Sequence, residues 1–294
     1  MPDIRSQYDP TNSFEVKVWD IEYRRAAGET WLARIYQPRG KGPFPAILYV
    51  HGGAWSKRDR TQNASLNQQL AASGLVIVAI DFRLAPQHPY PAQVVDTNFA
   101  VRWLKAHARE FNADPHCIGA MGSSSGGHTA MLSAMRPYDT RYTALPLPEA
   151  PAIDATVTWV IALWSVLDPY ARYLYSQEDK REELLTGTEG YFLTEAAMQE
   201  GNPQLILDRK EKIQLPPVLV IHGTADKNVP LSIPTRFATS CREAGGELDL
   251  ELFPDMPHGF PSRPGPENQH EAQRALEIMK RWITRQVATR KTNM

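Results

Sequence analysis

The chain has 294 residues, of which 42% are hydrophobic, and its 32 basic and 33 acidic side chains give a formal net charge of −1. A chain of this size can bury a large core, and the balanced charge gives no electrostatic reason to expect a nucleic-acid or anionic membrane partner. The two cysteines, Cys117 and Cys241, fall on different predicted elements, which favours buried thiols over a disulfide. No zinc-like spacing of cysteine and histidine occurs, so no metal site is predicted.

The first residues, 1–5, lack the apolar stretch of a signal peptide. No later run is apolar and long enough for a transmembrane helix. We therefore expect a cytoplasmic protein.

Short apolar runs typical of strands alternate with longer amphipathic runs typical of helices. The first two strands, at about 14–25 and 30–37, are predicted to pair antiparallel through a turn near 27–29. Further strands are predicted at about 46–50, 75–80, 117–121, 156–163, 217–222 and 248–253. Helices are predicted at about 61–73, 92–109, 125–135, 231–244 and 268–289. This alternation predicts an α/β fold, with a mostly parallel eight-stranded sheet flanked by helices in one domain spanning 1–294.

Residues 169–215 form a segment longer than a crossover between two strands needs. The segment carries five aromatic side chains among many charges: Tyr170, Tyr173, Tyr175, Tyr191 and Phe192. Because long insertions in compact domains are usually functional, we interpret it as a small helical cap whose aromatic side chains line a pocket. The alternative is a crossover helix followed by a surface loop with its own small core.

The most specific motif is Gly-Ser-Ser-Ser-Gly at 122–126, between an apolar run and a helix-like run. Gly-x-Ser-x-Gly between a strand and a helix is a nucleophile elbow, a tight turn that lifts its middle serine clear of the backbone. Ser124 is therefore the predicted nucleophile, at a helix N-terminus that favours negative charge. Ser125 directly follows it, so its backbone N–H is predicted to donate to an oxyanion.

A serine hydroxyl is too weakly acidic to attack a carbonyl unaided, so a base must accept its proton. His258, in a short loop after the last predicted strand, is the predicted base. Asp226, at the end of the preceding strand, is the predicted acid that orients His258. Asp255 lies closer to His258 in the chain, but its Pro-Asp-Met-Pro setting is typical of a turn. Structural roles are the better interpretation for three histidines beside other motifs: His51, His128 and His222.

A second loop, His-Gly-Gly-Ala-Trp at 51–55, directly follows the strand at 46–50. Its small residues would let backbone N–H groups approach a developing oxyanion. Gly53 and Ala54 are the predicted donors, with Gly52 shaping the turn. Trp55 could either line the pocket or anchor the loop to the core.

The chain order Ser124, Asp226, His258 is that of α/β-hydrolases. With the loop at 51–55 and the Asp-Phe-Arg-Leu-Ala-Pro segment at 81–86, these residues resemble the carboxylesterases related to hormone-sensitive lipase. The resemblance implies hydrolysis of esters with short or medium acyl chains, through an acyl-serine intermediate and without a cofactor. Asp81 is predicted to be a structural partner of Arg83 or of backbone amides.

Two positions depart from that pattern. Ala54 stands where a third glycine is usual, and Ser123 stands where an acidic residue usually precedes the nucleophile. In these respects the chain is similar to neighbouring bacterial groups, including feruloyl and acetyl-xylan esterase-like proteins and arylformamidases.

The same triad can cleave esters or amides, so an arylformamidase or aryl-amidase is the main alternative to a carboxylesterase. A hydrolase scaffold that binds a ligand without catalysis is the alternative from another class. An uncovered edge of the sheet would also allow two copies to pair as a homodimer.

Overall fold

The computed structural model describes residues 8–26, 28–262 and 265–292. Residues 1–5, on which the expected absence of a signal peptide rests, lie outside the described residues, as does residue 27 of the predicted turn. Of the rest of that turn, Gly28 has a φ of 82° and Glu29 begins a strand.

One eight-stranded sheet organises the described residues. Its strands are β1 (Val16–Ala26), β2 (Glu29–Pro38), β3 (Phe44–Val50), β4 (Val76–Ile80), β5 (Ala113–Ser123), β6 (Val160–Leu163), β7 (Val218–Gly223) and β8 (Leu248–Phe253). They lie in the order β1-β2-β4-β3-β5-β6-β7-β8. The pairs β1–β2 and β2–β4 are antiparallel and the others are parallel. The predicted α/β fold with a mostly parallel eight-stranded sheet is confirmed.

The helices are α1 (Ala64–Ala72), α2 (Ala92–His107), α3 (Ser125–Met135), α4 (Pro169–Glu178), α5 (Glu182–Phe192), α6 (Glu195–Glu200), α7 (Pro203–Asp208), α8 (Ser232–Glu243) and α9 (Gln269–Thr292). Four of them, α4 to α7, occupy the long segment between β6 and β7. None of the helices in the described part of the chain is long and apolar enough to cross a membrane.

Helices cover both faces of the sheet, which is why its central strands read as continuous apolar runs. In β3, Leu48 packs in a core with side chains of α2, α3 and α8, whereas its neighbour Ile47 packs in a second core with α1 and α9. Such double burial favours β-branched and other apolar residues at every position. Five apolar side chains of α9 are at most 9% exposed: Ala272, Leu276, Met279, Trp282 and Ile283.

One predicted strand was too long at its start. The run at 156–163 becomes a strand only at Val160, because Thr156 is held in a side-chain turn by Asp154 and residues 157–159 are not part of the strand. Thr156 gives both its N–H and its hydroxyl to the Asp154 carboxylate, at 3.0 and 2.6 Å. Lys105 binds the same carboxylate at 2.7 Å, which holds the turn against the end of α2.

Candidate active site

Ser124 occupies a strained turn between β5 and α3. Its φ of 52° and ψ of −121° are unfavourable for a residue with a side chain, and such strain is typical of functional sites. Its N–H donates to the Leu163 carbonyl at 2.9 Å, which ties the turn to β6. The turn also passes close to other backbone, because a Cβ at Gly126 would lie 2.2 Å from the His51 carbonyl oxygen. A Cβ at Gly122 would lie 2.4 Å from the Gly126 carbonyl oxygen, so both motif glycines are required sterically.

The structure brings Ser124, His258 and Asp226 together in one hydrogen-bonded row. His258 Nδ1 donates to Asp226 Oδ2 at 2.7 Å, and its Nε2 accepts from the Ser124 hydroxyl at 3.1 Å. The three residues come from the ends of β5 and β7 and from the loop after β8, all at the carboxyl edge of the sheet. This arrangement can transfer a proton from the serine to the imidazole.

Asp226 is a fixed, ionised carboxylate. Its Oδ1 accepts the backbone N–H groups of Asn228 and Val229 at 2.8 and 2.9 Å. Burial by itself would raise the pKa of the Asp226 carboxyl. The hydrogen bond and charge of His258, the charge of His222 and the Val229 N–H outweigh burial, so the pKa is lower than usual.

The loop at 51–55 lies beside the serine turn and is held there by side chains. Trp55 N–H donates to Ser125 Oγ at 3.2 Å, and Gly52 N–H donates to Gln62 Oε1 at 2.6 Å. Within the described residues, the backbone N–H groups of Gly53, Ala54 and Ser125 have no hydrogen-bond partner. These three amides are therefore free to donate to a ligand.

Three histidines outside the row are buried: His51, His128 and His222. His51 stacks on Phe82 with ring centroids 4.1 Å apart and donates from Nδ1 to the Gly52 carbonyl at 2.7 Å. His128 accepts from Trp55 Nε1 at 3.2 Å and donates to the Gly201 carbonyl at 2.7 Å. Burial lowers the pKa of His51 and that of His128 to about 4, so both are neutral at pH 7.

The third of these histidines, His222, donates from Nε2 to the Val229 carbonyl at 3.0 Å, and burial lowers its pKa as well. Since all three bond to backbone carbonyls, their contacts fit the predicted structural roles.

Of the two kinds of partner predicted for Asp81, Arg83 or backbone amides, it binds only the second. It accepts the backbone N–H and the Nη1 of Arg60, both at 2.8 Å, which confirms a backbone amide as partner. The predicted pair with Arg83 is wrong, because Arg83 lies 2.8 Å from Asp96 instead. The Asp96 side chain is fully buried and also binds Arg24 at 2.7 Å. Two cations thus offset the cost of burying this carboxylate.

Ser124 and His258 open into a cavity of about 480 Å³. The prediction that aromatic side chains of the insertion line the site is wrong. Tyr191 and Phe192 are buried instead against Trp55, with the Tyr191 and Trp55 rings stacked at 5.1 Å. Trp55 thus anchors its loop to the core.

The insertion contributes mainly charged side chains to the cavity wall, which the sequence analysis did not identify. These residues are Arg172, Lys180, Arg181, Glu182, Glu183 and Leu184. Trp164, in the loop after β6, also lines the cavity and was missed, although its place after a predicted strand was a usable signal.

Neither a disulfide nor a metal-binding cluster is found among the described residues. Cys117 and Cys241 are both buried, in β5 and α8, and form no disulfide. No group of three or more His, Cys, Asp or Glu in this part of the chain could hold a metal ion.

The sheet order, the serine turn after β5 and the chain order of the site residues define a member of the α/β-hydrolase superfamily. Within it, the chain belongs to the BD-FAE family, whose model matches residues 34–240.

Several proteins with curated names or solved structures to which the chain is similar are esterases. Esterase LipC of Mycobacterium tuberculosis is 31% identical over 230 residues, covering 74% of this chain and 53% of LipC. The carboxylic ester hydrolase LipN of the same organism is 28% identical over 85% of this chain and 66% of its own. The esterase Est2 of Thermogutta terrifontis, solved with propionate bound, superimposes with a TM-score of 0.70 at 27% identity, covering 93% of this chain and 94% of Est2. The chain spans about half the length of the first curated relatives it matches.

Proposed function

We propose that this protein is a carboxylesterase in which Ser124, His258 and Asp226 form the catalytic triad. The observation that carries the proposal is His258, which is hydrogen-bonded to Asp226 at 2.7 Å and to Ser124 at 3.1 Å. Ser124 Oγ attacks the ester carbonyl carbon while its proton passes to His258 Nε2. The C–O bond then breaks, and His258 gives that proton to the departing alcohol. Water repeats the cycle on the acyl-serine and releases the acid.

The backbone N–H groups of Gly53, Ala54 and Ser125 form the oxyanion hole in this proposal. Two observations support this assignment. Gly53 and Ala54 line the cavity together with Ser124, and Ser125 follows Ser124 in the chain. None of the three N–H groups has a hydrogen-bond partner among the described residues. Preorganised donors of this kind stabilise the charge that develops on the carbonyl oxygen. Gly52 holds the loop through its hydrogen bond to Gln62.

The segment at 169–215 is a cap over the site within a single α/β-hydrolase domain. Three contacts support this assignment. The N-terminal end of α5 forms one wall of the cavity, and Gly187 of α5 lies against Ala54. Glu183 of the same helix pairs with Lys57 at 2.6 Å. A cavity of about 480 Å³ under such a cap is the size of small-molecule sites, which supports a small ester as substrate.

Initial rates on a substrate panel test the proposal. The panel contains 4-nitrophenyl acetate, butyrate and decanoate, N-formylkynurenine and an aryl anilide. Turnover of short esters above the amides supports a carboxylesterase, whereas higher amide or formamide turnover makes the protein an amidase or formamidase instead. Paraoxon is a suitable inactivator, because a solved structure of Thermogutta terrifontis esterase 2 is phosphorylated by it.

Ser124→Ala provides the first prediction, a loss of ester hydrolysis of about 10⁴-fold or more, because no other group replaces the attacking oxygen. Ser123→Ala is the matched control. The Ser123 hydroxyl bonds to Tyr49 at 2.9 Å in the core, so this variant should keep its activity within about threefold. Full activity in folded Ser124→Ala protein would refute Ser124 as the nucleophile, whereas no turnover by folded wild-type protein would revive a non-catalytic, ligand-binding scaffold.

The homodimer and the cytoplasmic location remain predictions. β8 and β1 are the edges of the sheet, and an open edge supports pairing between copies. Sedimentation equilibrium at several protein concentrations tests a dimer through β8 or α9. Fractionation of cells that produce the protein tests the location.

A further inference from the structure

One buried cation in the wall of the active-site cavity has no anionic partner. Arg172, in α4, is 1% exposed and lines the cavity together with Ser124 and His258. Its Nη2 donates to Thr188 Oγ1 at 2.6 Å, whereas its Nε has no hydrogen-bond partner. Across the residues the structure describes, no carboxylate lies within 4.0 Å of its guanidinium. The arginine thus retains unused donors in the wall of the cavity that the predicted nucleophile also lines.

Burying the Arg172 guanidinium without a counter-charge destabilises the folded protein. A buried charge needs a counter-charge and hydrogen bonds to offset its lost hydration. Burial lowers the pKa of Arg172 to about 10, and the charge of Asp226 opposes that shift only in part. The guanidinium is therefore still protonated at neutral pH. Its position over the Trp55 ring, 5.0 Å from the centroid, offsets part of the cost.

Another buried arginine shows the contrast. Arg102 is 7% exposed and lies away from the cavity. It gives its Nε to Asn98 at 3.0 Å and its Nη2 to the Leu145 carbonyl at 2.7 Å. Arg102 is thus held by acceptors of its own fold, whereas the Arg172 Nε is buried without an acceptor.

The other charged side chains that line the cavity are also mainly basic. The remaining basic lining residues are Lys57, Arg58, Lys180 and Arg181, and the acidic ones are Glu182 and Glu183. Glu183 already pairs with Lys57 at 2.6 Å. A cavity lined by an excess of one sign concentrates ligands of the opposite sign and speeds their association.

We propose that the ester hydrolysed at this site carries a carboxylate, and that Arg172 binds this carboxylate and determines specificity. The planar fork of a guanidinium matches the two oxygens of a carboxylate, which makes arginine the suited residue for this task. This inference rests on the proposed esterase function and names its substrate class. The carboxylate can belong to the acyl part or to the alcohol part of the ester, and the test separates the two.

The test compares pairs of esters that differ only in charge. For the acyl side the pair is monoethyl glutarate and ethyl glutaramate, and for the alcohol side it is 4-acetoxybenzoate and 4-acetoxybenzamide. We expect wild-type kcat/KM to favour the carboxylate over the amide by about tenfold to a hundredfold in one pair, because a hydrogen bond to a charged group has that worth. The pair that shows the preference identifies the side.

Arg172→Met should bring that ratio close to one, because it raises KM for the carboxylate much more than for the amide. Arg172→Lys should retain part of the preference, because it keeps the charge but loses the fork. Arg102→Met is the control, since it removes a buried arginine outside the cavity and should leave the ratio unchanged. A wild-type ratio of one or less in both pairs, or a preference that persists in folded Arg172→Met protein, would overturn the inference.

Two further measurements keep the test decisive. If Arg172→Met does not fold, inhibition of wild-type 4-nitrophenyl acetate hydrolysis by glutarate is compared with inhibition by glutaramide. Weaker inhibition by the dianion would overturn the inference. If no ester is hydrolysed at all, the proposed function fails, and calorimetry then asks whether Ser124→Ala protein binds glutarate. Binding that disappears in the Ser124→Ala, Arg172→Met double variant supports the role of Arg172, and absent binding overturns it.

Discussion

Three donors hold the Asp226 carboxylate, and each requires an acceptor. One oxygen faces His258 Nδ1–H, and the other accepts the N–H groups of Asn228 and Val229. An asparagine has only one acceptor oxygen, so its NH₂ group must face one of these donors. If it faces His258, the imidazole is pushed into the tautomer whose Nε2 carries a proton and cannot accept one from Ser124.

Asp226→Asn should therefore lower kcat by about 10⁴-fold, with a far-UV circular dichroism spectrum like that of the wild type. Steady-state rates on 4-nitrophenyl butyrate measure the loss. Asp255→Asn is the matched control, because Asp255 is an exposed turn residue three positions before His258. Its φ of 59° is one that asparagine adopts readily, so activity should stay within about threefold. A large loss of kcat in Asp255→Asn with a small loss in Asp226→Asn would identify Asp255 as the acid of the triad instead.

At the residue scale, the sequence could distinguish the predicted base from the other histidines, because its place relative to the predicted strands is informative. His258 follows a strand at the carboxyl edge of a parallel sheet, where the serine turn also lies. The charge of Arg172 could not be interpreted in the same way. Its significance depends on burial and on the absence of a carboxylate partner among the described residues, and neither is visible in the local sequence.

At the scale of elements, α5 restrains the loop that supplies two of the proposed oxyanion donors. Gly187 packs on this loop so closely that an added Cβ would lie 3.0 Å from both the Cβ and the carbonyl oxygen of Ala54. Further along the helix, the stacked rings of Tyr191 and Trp55 hold its end against the same loop. The position of the Ala54 N–H is therefore coupled to that of α5.

Gly187→Ala should lower kcat by about tenfold, because a displacement of a few tenths of an ångström at Ala54 moves an oxyanion donor. Gly190→Ala is the matched control in the same helix. A Cβ there would meet only Pro86, at an ordinary 3.6 Å, so this variant should keep full activity. It should also gain about 0.5–1 kcal/mol of stability from the better helix propensity of alanine. Equal activities for the two variants in assays with 4-nitrophenyl butyrate would show that α5 does not restrain the loop.

Strands were easier to predict than the helices of the insertion. A strand buried on both faces must be apolar throughout, so its place is evident from composition alone. The helices α4, α6 and α7 are short and start at local caps instead, with Asp168, Thr194 and Asn202 accepting backbone N–H groups. Asp168-Pro169 and Asn202-Pro203 are recognisable starts in the sequence, because proline suits the first helical position. How these helices pack on the loop at 51–55 depends on contacts far apart in the chain.

At the scale of the whole molecule, the fold buries histidines in their neutral form. His51 and His128 each have a pKa near 4 because burial disfavours the charged imidazole, and the pKa of His222 is lowered for the same reason. In the unfolded chain these groups have pKa values of about 6.5. Between pH 6.5 and 4 the unfolded chain therefore binds protons that the folded chain does not, and stability falls with falling pH.

The free energy of unfolding should accordingly be constant above about pH 7 and fall as the pH drops through 6. By pH 5 the loss is about 2 kcal/mol for His51 and about the same for His128, while most carboxylates have yet to titrate. Urea denaturation followed by tryptophan fluorescence at pH 7.5, 6.5, 5.75 and 5.0 measures it.

His128→Gln separates this effect from general acid destabilisation. The glutamine amide can accept from Trp55 Nε1 and donate to the Gly201 carbonyl, as the neutral imidazole does, but it does not titrate. The variant should lose about 2 kcal/mol less than the wild type between pH 7.5 and 5.0, whatever its stability at pH 7.5. Parallel curves for the two proteins would mean that the acid sensitivity originates elsewhere. A shallower curve would show that the Trp55–His128–Gly201 chain, which joins the loop at 51–55 to the insertion, contributes to the acid sensitivity of the fold.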